Sequence, residues 1–451
     1  MAMQFTLSQL AEILGVDEVT NSQAVTNGAV IDSRQVQVGS LFIALKGDQV
    51  DGHDYLNKAR ELGAVAALVS DYQDDELPQI KVPDVRLAFA KIAHAWLQKC
   101  QAKIVAITGS NGKTTLKEMV KSILSEVGSV SATKGNLNND LGVPLTVCQL
   151  DAYDQYAVIE MGTNHQGEIA YLMDIVSPDV SVINNVAASH LEGLGTVEGV
   201  AIEKGAIYQG LKEAGTAVIN IDMPYQTIWQ PMIEGKKTLT FGLTDEADIH
   251  AQYVQLDPSS SHFLVSIDNV NHHFTLPLPG IHNVSNALAA IALSEALTIP
   301  VDAMVKGLNK IQAVAHRLQI RPAISGGRLI DDSYNANPGS FQQALASLIA
   351  FPGQHWLVLG DFAELGETSE SLHKQLGLDA KQSGVSQLFT VGMKSRIAAE
   401  SFGTNAIHFE DISTLQQHLE RHLTDGVTCL VKGSRFMQLD KLADALSQEA
   451  K

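Results

Sequence analysis

The segment Lys103-Ile-Val-Ala-Ile-Thr-Gly-Ser-Asn-Gly-Lys-Thr-Thr115 leaves the chain around it few folds to choose from. Ile104 to Ile107 is a short β-branched and apolar run, suited to a strand buried on both faces. Thr108 to Gly112 combines two glycines with Ser110 and Asn111 and turns tightly instead of extending that strand. Apolar residues then return at helical spacing at Leu116, Met119, Val120, Ile123 and Leu124. Strand, glycine-rich turn, Lys-Thr and helix make a phosphate-binding loop. Its backbone N–H groups and helix N-terminus meet an anion, Lys113 adds a point charge, and a hydroxyl of Thr114 or Thr115 is available to Mg²⁺. The general pattern wants a glycine where Ile107 stands, so this is a shortened variant. A chance Lys-Thr after a glycine turn is the plain alternative, and the flanking strand and helix argue against it. The residues Thr108, Gly109, Ser110, Asn111, Gly112, Lys113, Thr114 and Thr115 are read as an ATP cradle.

A chain of 451 residues exceeds one compact domain and suggests about two to four. The formal net charge of −19 argues against nucleic acid or an anionic membrane as the main partner. A phosphate-bearing substrate must therefore find local positive sites. Cys100, Cys148 and Cys429 are odd in number and show no metal or redox spacing, as for buried thiols of a cytoplasmic protein. Neither a basic leader nor an apolar run of membrane-spanning length is expected.

Residues 1–84 read as a first, small α/β unit. Leu7, Leu10, Ile13 and Leu14 mark a helix capped by Thr6 or Ser8. The runs Ala29–Arg34 and Ser40–Gly47 look like strands, which sets Asp32, Ser33, Arg34 and Lys46 at strand ends, where either ordinary turns or a ligand would suit them. An acidic stretch with Pro78 and Pro83 ends the unit.

Residues 85–315 read as the central unit. Thr133–Pro144 is dense in Asn and Gly and is expected to be a loop whose amides, Asn138 and Asn139 among them, either satisfy turns or bind a polar ligand. Tyr156–Gly162 is a strand running into Glu160, where a Mg²⁺ ligand belongs. Val180–Val186 is another strand, with His190 shortly beyond its end. Three such ends carrying Thr114, Glu160 and His190 converge on one edge of a parallel sheet. Lys204 lies in a helix among apolar and small residues. It is either a snorkelling surface amine or a buried one, neutral often enough to react with CO₂, and composition does not choose. Ala214–Pro279 reads as an extension of the sheet, and His282–Asn286 open an Ala-rich helix. Asn283 and Asn286 there are suited to capping the helix, to reading an adenine edge, or to both together.

Residues 316–451 alternate strands and helices, as in another doubly wound, Rossmann-like fold. Arg328–Ser340 is a strand ending in Asp331-Asp332 and an Asn-rich loop.

These pieces, in this order and over essentially the whole chain, resemble the Mur ligase family. The phosphate loop, Glu160-Met-Gly162, His190 and the Gly-Ile-His-Asn segment from Gly280 are shared across that family. Lys134–Asn139, Asn185–Glu192, Asp331–Pro338 and Gly360–Gly366 are similar to the branch that adds D-alanyl-D-alanine, and the Asp-Asn-Pro-Arg motif of the diaminopimelate-adding branch is absent. The resemblance implies three domains: a UDP-binding one, a parallel-sheet P-loop ATPase and a Rossmann-like one. It implies ATP-dependent amide ligation through an acyl phosphate, with UDP-MurNAc-tripeptide and D-Ala-D-Ala as small-molecule substrates. Carried over by motif, Lys113 stabilises the moving phosphoryl group and Thr114 and Glu160 hold one Mg²⁺. His190 and a carbamylated Lys204 help place a second. Asn283 reads adenine, while Arg317 and Asp332 close over γ-phosphate and ribose. Asp32, Ser33, Arg34 and Lys46 hold the UDP part, Asn138 and Asn139 the muramoyl-peptide, and Tyr334, Asn335 and Asn337 lie near the dipeptide. Lys113, His190, Lys204 and Arg317 form the expected catalytic set in a cytoplasmic monomer. Folylpolyglutamate synthase and a non-catalytic nucleotide-binding regulator are the competing readings. The first usually lacks an N-terminal uridine-nucleotide domain, and the second has no need of Glu160, His190 and Lys204.

Overall fold

A computed structural model describes residues 3–17 and 19–448. The first two residues of the expected first unit and the last three of the third therefore lie outside the described residues. The architecture is α/β throughout, built on three sheets.

The first sheet has four parallel strands in sequence order, Ala29–Val30, Leu41–Ile43, Ala66–Val69 and Gln79–Lys81. Helix Leu7–Leu14 precedes it. Thr6 is the cap: its hydroxyl accepts from the N–H of Gln9 while the Gln9 side chain accepts from the N–H of Thr6. The run Ala29–Arg34 is a strand only at its start. The Asp32 carboxylate accepts from the N–H of Arg34 at 2.9 Å and bends Ser33–Gln35 into a 3₁₀ turn. Helix Val85–Leu97 leads out of this sheet, and its Phe89, Ile92 and Trp96 enter a core shared by Leu41 and Leu68 of the first sheet and Ile104 and Ile159 of the second.

The second sheet has nine strands. Its parallel part runs Lys237–Gly242, Thr216–Asn220, Val180–Ile183, Lys103–Thr108, Tyr156–Glu160 and Val130–Ala132. Ile249–Leu256 pairs parallel with Lys237–Gly242, and Ser261–Ile267 and Val270–Leu276 continue the sheet as an antiparallel meander. This is the extension read from Ala214–Pro279. The strand carrying the phosphate loop lies between those carrying Glu160 and leading to His190, so three consecutive carboxyl ends open on one edge. Thr133–Pro144 departs from the expected loop at its end, because Gly142–Cys148 is a fully buried helix. Pro144 is tolerated there because the first turn of a helix has no internal partner for its N–H groups.

The third sheet has six strands, in the order Gln319–Pro322, Arg328–Asp332, Val427–Lys432, Gln354–Gly360, Gln387–Val391 and Ala406–Phe409. All pair parallel except the first, an antiparallel edge. Separate apolar clusters cover its two faces, as a doubly wound sheet requires. No helix among the described residues is long and apolar enough to cross a membrane.

Candidate active site

Where strand Lys103–Thr108 ends, the side chains that follow are tied to the neighbouring strand end. The Thr108 hydroxyl donates to the Met161 carbonyl at 2.8 Å. The Ser110 N–H donates to the Asn185 carbonyl at 2.9 Å, and the Asn111 N–H to Asn185 Oδ1 at 2.8 Å. Asn184 and Asn185 both return an amide N–H to the Asn111 carbonyl. The loop is thus held from outside, with its curvature set before any ligand arrives. Gly112 adopts φ +74°, and a Cβ there would stand 2.7 Å from Asn286 Oδ1 and 2.8 Å from Asn184 Nδ2. Gly112→Ala is therefore expected to cost about 1–3 kcal/mol in thermal or urea unfolding, and to weaken nucleotide binding by more than that loss explains. Unchanged nucleotide affinity in calorimetry would contradict the second half.

Helix Lys113–Leu124 starts immediately after Gly112. Lys113 folds its Nζ back 2.7 Å from the Gly109 carbonyl. Burial pushes its amine below the ordinary lysine range, Glu160 opposes that shift and Arg317 adds to it. Glu160, 2 % exposed, accepts from Asn138 Nδ2 at 2.7 Å through one oxygen, and its Oε2 is buried with no partner. Its own N–H donates to the Thr133 hydroxyl, so the Asn-rich loop and this strand end are fastened together.

Asn283 and Asn286 are not caps. Gly280 caps helix Ile281–Ala296 without any side-chain bond. Asn283 instead reaches back to the Pro279 carbonyl at 2.8 Å, and Asn286 accepts from Asn184 at 2.8 Å, joining this helix to the phosphate loop. His282 beside them has a buried Nε2 with no partner, and burial pushes its imidazole down to about 4.

The third sheet closes over this edge. Asn337 caps helix Pro338–Ile349 and donates its amide to Asn111 Oδ1 at 2.7 Å, a direct bond from the third sheet's loop to the phosphate loop. The Arg317 guanidinium lies 4.1 Å from the centre of the Tyr334 ring, with Arg435 at 5.2 Å. Asp332 is paired with Lys432 at 2.5 Å; burial raises its carboxyl above the usual range and Lys432 opposes the rise. Lys432 also donates to the Asn335 carbonyl. His190 Nδ1 stands 2.5 Å from Glu364 Oε2, too poorly aligned for a hydrogen bond, and the contact holds the Glu364 carboxyl below its ordinary range.

One cleft of about 980 Å³ lies between these parts. Of the residues singled out from sequence, Ser110, Asn111, Gly112, Lys113, Thr115, Asn138, Asn139, Glu160, His190, Asn283, Arg317, Asp332, Tyr334, Asn335 and Asn337 line it. Thr108, Gly109, Thr114 and Lys204 lie behind its wall, and Asp32, Ser33, Arg34 and Lys46 do not reach it. The Arg34 guanidinium pairs with Asp32 at 2.7 Å while remaining mostly exposed, and Lys46 is exposed. Lys204 is 1 % exposed. Its amine lies well below the ordinary range, first through burial and then through the charge of Lys113, with Glu203 opposing.

Glu364, Lys432, Asn184 and Asn185 escaped the sequence reading as site residues. Lys432 ends a buried strand just as Glu160 does, so the same rule would have found it. Asn184 and Asn185 stand in the segment between a strand and His190 and carry the same signal. Glu364 lies in a polar turn after strand Gln354–Gly360.

Residues 26–98, 107–294 and 316–435 match, respectively, the Mur ligase family catalytic domain, the Mur ligase middle domain and the Mur ligase glutamate ligase domain. The chain is 41 % identical over 447 residues to the UDP-N-acetylmuramoyl-tripeptide–D-alanyl-D-alanine ligase of Escherichia coli K12, covering 98 % of both chains. It superposes on a crystal structure of MurF from Acinetobacter baumannii with a TM-score of 0.91 at 33 % identity, over 98 % of each chain. For MurF ligase from Thermotoga maritima in complex with ADP the TM-score is 0.83 at 28 % identity, over 94 % of this chain and 98 % of that one.

Proposed function

The chain belongs to the Mur ligase family, and on that premise we infer that it joins D-alanyl-D-alanine to UDP-N-acetylmuramoyl-tripeptide at the expense of ATP, in peptidoglycan precursor synthesis. The observation that carries this reading is the cleft itself. A phosphate loop, a buried carboxylate with a free oxygen and residues of two sheets meet there, and relatives of that name match the chain end to end.

ATP seats its phosphates on residues 109–115 and its adenine beside Asn283. The terminal carboxylate of the tripeptide attacks the γ-phosphorus, giving an acyl phosphate and ADP. The dipeptide amine then attacks the acyl carbon and phosphate leaves. Both steps crowd negative charge, so orientation and charge neutralisation supply most of the rate. Lys113 lets go of the Gly109 carbonyl to follow the moving phosphoryl group. Arg317 and Asp332 reach the γ-phosphate and ribose, and Asn138 and Asn139 meet the peptide arm. Tyr334, Asn335 and Asn337 frame the dipeptide.

The donor set fits Mg²⁺: the partnerless Oε2 of Glu160 and the hydroxyl of Thr114 are hard oxygen ligands, with His190 and Lys204 for a second ion. Mg²⁺ held by these residues would supply charge neutralisation for the phosphoryl transfer. Burial lowers the Lys204 amine well below the ordinary lysine range, which favours the neutral form, the one that adds CO₂ to become a carbamate. Residues 1–84 form the UDP-binding domain, with Asp32, Ser33, Arg34 and Lys46 on the nucleotide, residues 85–315 the ATPase and residues 316–451 the domain that closes. The enzyme works in the cytoplasm as a monomer.

ADP release tests this. It should require both UDP-MurNAc-tripeptide and D-Ala-D-Ala for steady turnover, with a pentapeptide product by mass. ADP release with tetrahydrofolate and glutamate in their place would move the chain to the folate branch.

A further inference from the structure

The cleft that must admit a dipeptide amine is rich in cations. Lys113, Arg317, Lys432 and Arg435 all line it. These suit phosphates, but a peptide amine in neutral water is an ammonium ion and is repelled by them. Some carboxylate has to receive it.

The acidic residues lining the cleft are Asp140, Glu160, Glu168, Asp222, Asp332 and Glu364. Five are committed. Asp140 is paired with Arg86, and Asp332 with Lys432. Glu168 accepts the N–H of Asn164 at 2.7 Å and contacts His165. Asp222 accepts the N–H of Leu243 at 2.8 Å. Glu160 is buried against Asn138 through one oxygen, and its other oxygen is the Mg²⁺ ligand of the reading above. Glu364 differs from all of them. Its carboxylate is about half exposed, it comes from the third sheet, and its partner is an imidazole ring instead of a fixed cation or a backbone N–H.

Backbone geometry adds an independent observation. Glu364 has φ +60° and His190 has φ +53°. Left-handed backbone costs a non-glycine residue free energy, and such strain persists where the surroundings hold a side chain in a required direction. Here two strained residues, one from each side of the cleft, bring Glu364 Oε2 within 2.5 Å of His190 Nδ1 without forming a hydrogen bond, so that among the described residues no directional bond holds the Glu364 carboxylate to this imidazole. His190 follows the strand next to the phosphate-loop strand, so the meeting point lies beside the phosphoryl-transfer site.

We propose that Glu364 is the residue that receives the ammonium group of the incoming dipeptide and holds its nitrogen facing the activated carboxyl; once one ammonium proton has passed to solvent, the freed lone pair forms the C–N bond and phosphate leaves with the electrons of the broken C–O bond. This rests on the ligase reading given above. The specificity it confers is for an amine nucleophile that arrives charged.

The test uses the full-length enzyme with Glu364→Gln and Glu364→Asp. Wild type and both variants are assayed with D-Ala-D-Ala and, separately, with hydroxylamine, an amine uncharged at neutral pH that traps an acyl phosphate as the hydroxamate. Glu364→Gln should raise the KM for D-Ala-D-Ala by about ten- to a hundredfold. Its KM for ATP, its KM for the tripeptide and its hydroxamate yield should stay within about twofold of wild type. Glu364→Asp should recover part of the loss. Equal losses with dipeptide and hydroxylamine would overturn the proposal and leave Glu364 as a brace for His190. Hydroxamate formed by wild type without any pentapeptide from D-Ala-D-Ala would instead overturn the dipeptide as substrate, and the proposal with it.

Discussion

Lys113→Met should lower turnover by about a thousandfold or more, roughly 4 kcal/mol of transition-state stabilisation. The lysine starts the helix that follows the glycine turn, so its charge adds to the helix N-terminus at the point where phosphoryl charge moves. Burial already depresses its amine, which means the protein spends stability to keep a cation in that place. Among the described residues its Nζ donates to the Gly109 carbonyl, a bond that methionine can lose without exposing a charge. The variant should therefore fold with a melting temperature close to wild type, and the loss should fall on the first chemical step. Formation of the acyl phosphate, read by single-turnover ADP release, is where it must appear. A variant that makes the acyl phosphate at the normal rate but turns over slowly would contradict this role.

Lys204→Met should lose at least a hundredfold in turnover while becoming no less stable. The amine is 1 % exposed and lies well below the ordinary lysine range, so burial disfavours its charged form in the folded chain relative to the unfolded one. At any pH between the folded and unfolded values, unfolding takes up a proton. The folding free energy rises with pH from the folded-state value up to the ordinary lysine value near about 10.4, and is diminished across the whole range below it. Methionine fills the same buried space without that penalty. In carbonate-free buffer Lys204→Met should melt at or above the wild-type temperature at neutral pH, with a shallower rise in stability towards alkaline pH. A residue whose removal stabilises the fold and abolishes activity is retained for chemistry. An active variant, or one that melts well below wild type, would mark Lys204 as core packing.

How far the chain could be read without coordinates depended on where the physics is local. Strand ends are legible because a charged residue after a β-branched run has nowhere to go except the sheet's edge; Glu160 and the Asp331-Asp332 pair are read that way, Thr114 from the glycine-rich loop, and the role of Asp332 from the resemblance. The capping box at Thr6 is local too. Ala29–Arg34 was misread in part because Asp32 bonds to the backbone two residues on, which composition does not reveal. The Asn111–Asn337 bond and the meeting of His190 with Glu364 were illegible, since each joins residues far apart in sequence across two sheets. From sequence, Asn283 and Asn286 suit capping, adenine contact or both together, and the observed Gly280 cap, which has no side-chain bond, removes capping. Lys204 was left open between surface and interior, and its burial decides that choice.

The most direct measurement of the central claim follows oxygen. UDP-MurNAc-tripeptide labelled with ¹⁸O in its terminal carboxylate is turned over with ATP and D-Ala-D-Ala, and the released phosphate is analysed by mass. Ligation through an acyl phosphate sends one labelled oxygen into each phosphate, in step with pentapeptide formation. Unlabelled phosphate accompanying pentapeptide would contradict the account.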